Sequence, residues 1–204
     1  MLSWQQPGPP ILLASQSPRR KLILDQMGFS FSVVAPASIN EAAFIDPQDL
    51  EQSLRKLALA KAATVADLHP GSLVLGADTV VVKDSVVLGK PADAVEAARM
   101  LSMLSNAKHR VLTGVALVCR ERSFSATAVA STDVFFRGIT AAEIDDYLKH
   151  DEYRDKAGAY AIQGKALVFI GKIDGCYYNV VGLPVAETIT LFKNYSTFRG
   201  TSDG

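Results

Sequence analysis

The stretch ASQSPRRKLIL, residues 14–24, follows the apolar run ILLA and places Arg19 and Arg20 directly behind a Ser-Pro step. Ser17 is a natural N-cap and Pro18 suits the first helical position, so a helix begins there. Two cations in its first turn sit at the positive pole of the helix, beside N–H groups with no partner inside it. An anion from outside resolves the conflict, and phosphate fits: the N–H groups converge, the guanidinium forks match phosphate oxygens, and Ser15 adds a hydroxyl. The competing reading is a surface helix whose arginines face water or pair with Asp25.

A second candidate is Asp78, set in the otherwise apolar run LVLGADTVVV at 73–82. A carboxylate there is costly to bury unless a cation, a metal or hydrogen bonds compensate it. Either it holds a loop through backbone N–H groups, or it closes on a metal-bound triphosphate at the sheet edge. In the second case Gly76 and Ala77 are small enough to let the ligand approach the backbone. Lys61, Lys90 and Lys156 could add positive charge, although each alone reads as a solvated surface lysine. GKP around Lys90 has neither the spacing nor the Ser/Thr of a P-loop. GxSxG, HExxH and GxGxxG do not occur, and His69, His109 and His150 lack metal-ligand spacing.

The elements that must position these residues alternate between strand and helix patterns. ILLA is a strand, the helix over 18–27 stops at Gly28, and FSFSVV is a strand candidate. A long helix follows, with Pro47 in its first turn, an apolar face of Leu50, Leu54, Leu57 and Ala58, and HPG at 69–71 as its end. The buried strand 73–82 turns at KDS into VVLG. A helix over 93–104 opens on Asp93 and Glu96 in capping-box spacing. Strands near 109–121 and 124–136 should pair antiparallel across RERS. Thr140 and Glu143 form a second capping box, 151–165 is an irregular loop, and two short strands precede Pro184, which opens the last helix. The sum is an α/β domain with a mixed sheet.

Composition narrows the class. The 204 residues are 49% hydrophobic and 21% charged, with 21 basic residues balancing 21 acidic ones. That balance argues against a broad nucleic-acid or membrane footprint and leaves room for a local basic pocket that takes a small anion. Cys119 and Cys176 have no metal or CxxC spacing, and both fall in apolar, strand-like segments, as buried free thiols do. The start MLSWQQPGPP has no basic region or long apolar run, so no signal peptide is expected, and no stretch has the length of a membrane span. Asn194-Tyr195-Ser196 matches a glycosylation acceptor by chance in such a chain. The expected setting is cytoplasmic.

Taken together, LASQSPRR (13–20), GADTVV (76–81), LGKP (88–91), HRVLTGVAL (109–117), DKAGAYAIQG (155–164) and YNVVGLP (178–184) resemble the Maf family of nucleotide pyrophosphatases. The motifs keep the family's order and cover nearly the whole chain. The resemblance implies an ITPase-like fold, a mixed twisted sheet with flanking helices around a central cleft. It also implies one domain over 10–196, with frayed tails at 1–9 and 197–204. The implied reaction is metal-dependent hydrolysis of nucleoside triphosphates to the monophosphate and pyrophosphate, with magnesium or manganese as the cation. The expected partner is the nucleoside triphosphate, with no nucleic acid and no membrane, and a homodimer is open to the chain.

Carried over residue by residue, the resemblance puts Asp78 in the place of the family's proton acceptor for the attacking water. Ser15, Arg19 and Arg20 match the phosphate loop, Lys61 and Lys90 match its basic positions, and Glu41 matches a second acid that helps Asp78 hold the metal. The subgroup acting on dTTP and UTP resembles this chain at Arg19, Thr79 and Gln163, where the subgroup acting on 7-methyl-GTP usually has Trp, Gln and Glu. Thr79 would line the same wall as the acid, and Gln163 would read the base. Ala161 departs from the family, many members having Gly there, and its methyl group bears on the preference among dTTP, UTP and CTP. Two rival functions use the same pocket: a nucleotide-binding regulator of cell division without turnover, and a pyrophosphatase for modified purine nucleotides such as 7-methyl-GTP. The first would need no acid at 78. The second would need other residues at the three selectivity positions.

Overall fold

The computed structural model describes residues 8–202, with side chains through 198. The chain runs through β1 (Ile11–Ala14), α1 (Pro18–Gln26), β2 (Phe31–Val33), α2 (Leu50–Ala66), β3 (Leu73–Lys83), β4 (Val86–Leu88) and α3 (Ala94–Leu104). It continues with β5 (Lys108–Cys119), β6 (Phe124–Phe136), α4 (Ala141–Leu148), β7 (Ile170–Asp174), α5 (Tyr177–Val181) and α6 (Val185–Ser202). The seven strands form one mixed sheet in the order β2-β1-β3-β5-β6-β7, with β4 paired to β3. β1 is parallel to both β2 and β3, whereas β3–β4 and β6–β7 are antiparallel. An α/β fold with a mixed sheet is what the sequence leads one to expect.

The chain divides into two compact units. The first holds the residues up to Asp78, Thr113–Ala130 and those from Gly182 onward; the second holds Thr79–Leu112 and Ser131–Val181. In the first unit the apolar face of α2 lies against β3 and β5. Its core includes Leu12, Ala14, Ala58, Ala62, Val65, Val74 and Ala116. Two glycines set how near the helix comes. A Cβ on Gly76 would stand 2.6 Å from the Ala58 carbonyl oxygen and 2.8 Å from the Ala62 nitrogen, and one on Gly114 would stand 2.4 Å from the Leu54 carbonyl oxygen. Leu54, Ala58 and Ala62 recur at four-residue intervals, so one stripe of α2 rests directly on bare strand backbone. Gly76 therefore serves helix packing, not the ligand approach expected from the sequence.

In the second unit an aromatic-rich core gathers Val81, Leu88, Leu101, Phe136, Tyr147, Tyr160 and Phe169. Two capped helices frame it. The Asp93 carboxylate accepts from Glu96 N at 2.8 Å while Glu96 Oε2 accepts from Ala92 N at 2.7 Å. The full capping box of Thr140 and Glu143 opens α4 as expected.

Several local expectations need correction. Pro47 lies in a turn ahead of α2, whose N-cap is Asp49, accepting from Gln52 N at 3.0 Å. A short 3-10 helix, Glu41–Phe44, precedes that turn. The two strands expected before Pro184 are one: β7 is preceded by a 3-10 helix, Lys165–Phe169, and followed by the helix α5. Tertiary hydrogen bonds override the strand propensity of YYNVV. Asn179 Nδ2 donates to the Val111 carbonyl at 2.9 Å and to Thr132 Oγ1 at 3.0 Å, and the same hydroxyl accepts from Cys176 N. Cys176 thus sits at a bend and is half-buried, unlike the buried strand thiol Cys119. Helix α6 runs on to Ser202, past residue 196; of the expected tails, residues 1–7 and 203–204 lie outside the described residues. Among the described residues no helix is long and apolar enough to cross a membrane.

Candidate active site

Side chains alternate along a strand, and β3 uses the alternation to separate two tasks. Gly76 and Asp78 share the face turned to α2, where Gly76 meets Ala58 and Ala62 and Asp78 meets Lys61. Thr79 and Val81 share the opposite face, where Val81 packs on Gly158. Asp78 and Thr79 are consecutive on the strand, so their side chains leave it on opposite faces.

Asp78 is buried, with 8% of its surface exposed, and its carboxylate forms an ion pair with the Lys61 ammonium. The close approach of α2 over Gly76 brings Lys61, one position before Ala62, to the acid. The same ammonium lies 2.7 Å from Glu41 Oε1, on the 3-10 helix ahead of α2. One cation thus holds two carboxylates from separate elements, and this supplies the compensation a buried acid requires. Asp78 and Glu41, which the family resemblance groups as metal ligands, both contact this one ammonium.

The second part of the site forms where β1 hands over to α1. Ser15 is buried, and its hydroxyl accepts from Ser17 N at 3.2 Å and from Arg20 Nη1 at 3.3 Å. Arg20 Nε donates to the Gly182 carbonyl at 2.8 Å, so its guanidinium is turned inward and fixed at two points. Ser17 occupies the N-cap position and Pro18 follows it, yet the Ser17 side chain makes no capping hydrogen bond. The first turn of α1 has no acidic residue to offset its positive pole. Burial lowers the Arg20 pKa; Asp78 and Glu41 pull it back up, and Arg19 pushes it down. Those influences place Arg19, Arg20, Glu41 and Asp78 within one electrostatic neighbourhood. A partly desolvated guanidinium beside a second cation favours an incoming anion.

Thr79, Lys90 and Gln163 belong to the second unit. Thr79 is half-buried on β3, Lys90 is exposed just after β4, and Gln163 is exposed in a turn at 162–164. Lys90 and the loop that carries Gln163 are tied through their neighbours, since Gly158 N donates to the Gly89 carbonyl at 3.0 Å. Lys156 donates to the Arg154 carbonyl at 3.2 Å, a local bond within its own loop. Two features escaped the sequence reading: the Gly182 carbonyl as an anchor for Arg20, and the link from Gly89 to Gly158. Both involve backbone atoms, which no residue type announces; the only sequence trace of the first is the VVGLP motif around Gly182.

Among the described residues no group of three or more Asp, Glu, His or Cys side chains is arranged to hold a metal. Asp78 and Glu41 are a pair of oxygen donors already converging on one positive charge. A hard divalent cation fits such a pair when substrate oxygens and water complete its shell, as magnesium sites commonly require.

Residues 10–195 match the family profile described as Maf-like protein. A protein of Bacillus cytotoxicus named dTTP/UTP pyrophosphatase is 45% identical over 188 residues, covering 91% of this chain and 95% of its own length. Proteins with the same name from a Geobacillus strain and from Symbiobacterium thermophilum are each 46% identical. They cover 90% and 91% of this chain, and 96% and 93% of their own lengths. With a profile match from β1 into α6 and relatives of this similarity along nine-tenths of its length, the chain belongs to the Maf family.

Proposed function

We propose that this chain is a nucleoside triphosphate pyrophosphatase that hydrolyses dTTP and UTP, with CTP as a further candidate, to the monophosphate and pyrophosphate. The observation that carries the reading is the buried Asp78 carboxylate, held by Lys61 in the same electrostatic neighbourhood as Arg19 and Arg20. An acid beside a cluster of cations suits hydrolysis of an anionic substrate, since it can take a proton from water while the cations stabilise developing phosphate charge. A binder without turnover would need the cations and not the acid. The relatives named dTTP/UTP pyrophosphatase support the same reading.

In this mechanism Asp78 accepts the proton of the attacking water. Arg20, fixed by Ser15 and Gly182, meets the phosphate chain without first having to order its side chain, which lowers the cost of placing charge opposite the leaving group. Lys61 orients the acid and adds positive charge. Asp78 and Glu41 would hold a divalent cation, magnesium or manganese, whose chemistry when bound is to neutralise phosphate charge. Arg19, Thr79, Lys90 and Gln163 are assigned to substrate by the family resemblance, Gln163 through an amide that can donate to and accept from the O4–N3 edge of uracil or thymine. A cytoplasmic setting and a homodimeric state go with this proposal.

A screen of nucleoside triphosphates for pyrophosphate release, with and without magnesium or manganese, tests it. Release from dTTP and UTP that depends on the metal is the expected result. Tight nucleotide binding with no release from any triphosphate would replace the reading with that of a sensor.

A further inference from the structure

The loop ahead of Gln163 carries an unusual density of left-handed backbone. Asp151, Asp155 and Ala159 have φ values of 56°, 57° and 63°, and Gly158 has 68°. Gly tolerates that region, whereas Ala there is strained and persists only when its surroundings impose it. Three hydrogen bonds from outside do so over consecutive residues. Gly158 N donates to the Gly89 carbonyl at 3.0 Å, and Tyr147 Oη donates to the Ala159 carbonyl at 3.3 Å. Tyr160 Oη shares a 2.8 Å hydrogen bond with His109 Nε2.

The third bond is the costly one to build. His109 and Tyr160 are 2% and 6% exposed, and Phe136 packs edge-on against both rings, with centroids 4.9 Å away in each case. Two polar groups so deeply buried serve no bulk packing purpose that Leu and Phe would not serve better. What the pair adds is direction: it fixes where the Tyr160 ring leaves the core, and so where the chain re-emerges three residues before Gln163. Gln163 itself is exposed, in a turn closed by Gly164 N donating to the Ala161 carbonyl at 3.0 Å.

We infer that His109 and Tyr160 are positioning residues for nucleobase selection, their buried hydrogen bond setting the strained turn 158–160 from which the Gln163 amide reaches the base. The same turn holds Gly89, beside Lys90, so one anchored segment fixes two substrate positions of the second unit. This inference rests on the reading of Gln163 as a base contact.

The test is the ratio of kcat/KM for UTP to that for 7-methyl-GTP, measured well below the unfolding temperature of each variant. Tyr160→Phe keeps the ring and removes the hydroxyl; it should lower the ratio about tenfold, the worth of an ordinary hydrogen bond, through KM for UTP with kcat nearly unchanged. His109→Leu should do the same, and His109→Gln, which keeps a polar partner for the hydroxyl, should restore much of the ratio. A purely structural pair would lower the unfolding temperature in all three variants and leave the ratio alone, which would overturn the inference. If Tyr160→Phe does not fold, His109→Leu against His109→Gln decides by the same ratio. Gln163→Ala, measured alongside, separates the two failures. A ratio that falls in Gln163→Ala but not in Tyr160→Phe removes only the positioning role, whereas a ratio unmoved by Gln163→Ala removes the base contact and the positioning role with it.

Discussion

Lys61 on α2 and Asp78 on β3 form an ion pair whose side chains are only 12% and 11% exposed. A pair so well covered is fixed by the packing around it, and removing one partner leaves the other without compensation. Here the loss is softened because Lys61 also binds Glu41, at 2.7 Å. The ammonium therefore keeps a counter-charge whichever carboxylate is altered, and the acid can be tested without unfolding the site.

Asp78→Asn should abolish pyrophosphate release, by a factor of roughly a hundred or more, while nucleotide binding survives. The amide keeps the shape and can still face Lys61, but it cannot accept the proton. Single-turnover assays alongside equilibrium binding of UTP measure the two effects separately. Release close to that of the unmodified protein would transfer the catalytic role to another group.

Gly76→Ala tests the packing that delivers Lys61 to the acid. The added methyl would meet backbone atoms of Ala58 and Ala62 at 2.6 and 2.8 Å, and backbone cannot step aside as a flexible side chain can. We expect a loss of about 1–3 kcal/mol in urea unfolding, with activity reduced in the fraction that folds. Unchanged stability and activity would mean that α2 does not rest on β3 as closely as described.

His109 gives stability a pH dependence of defined sign. Burial lowers its pKa from 6.5 to about 4, Lys83 adding to the effect and Asp133 opposing it. The unfolded chain then binds the proton first as pH falls, so the contribution of His109 is whole above about pH 6.5 and lost as pH drops toward 4. The loss is on the order of 3 kcal/mol at most. Glu143 acts in a lower window. Hydrogen bonds from Arg137 and Thr140 hold its pKa near 2, so its contribution is present above its ordinary value and lost only as pH falls through that range. Denaturant midpoints between pH 7 and 4 should fall for the unmodified protein and change much less for His109→Gln. Parallel curves for the two proteins would contradict the assignment.

How far the sequence reached depends on whether the relevant force was local. Periodicity and capping located α3 and α4 because Asp93, Thr140 and Glu143 act within one turn. The same reasoning failed at 177–181, where long-range hydrogen bonds of Asn179 impose a helix on β-branched and aromatic residues. In the site, Asp78 was legible because a charge amid apolar residues is costly wherever it falls. Glu41 was not, except by resemblance, since nothing in EAAF announces a lysine brought in from α2. His109 carries no such signal, since a lone histidine has no spacing partner and the residue it bonds, Tyr160, is distant in sequence.

The last prediction concerns the base. An amide at Gln163 can match a pyrimidine edge that both accepts and donates, and a carboxylate there would repel O4. Gln163 is exposed and lies in a turn, so replacing it should leave the fold intact and confine the effect to substrate choice. Gln163→Glu should therefore lower kcat/KM for dTTP and UTP by about tenfold or more, with stability unchanged within ~0.5 kcal/mol. The unmodified chain should prefer UTP to 7-methyl-GTP when the two compete. A higher kcat/KM for the methylated purine would overturn the pyrimidine preference and leave the pyrophosphatase reading in place, because the charge chemistry around Asp78 and Arg20 does not depend on which base the nucleotide carries.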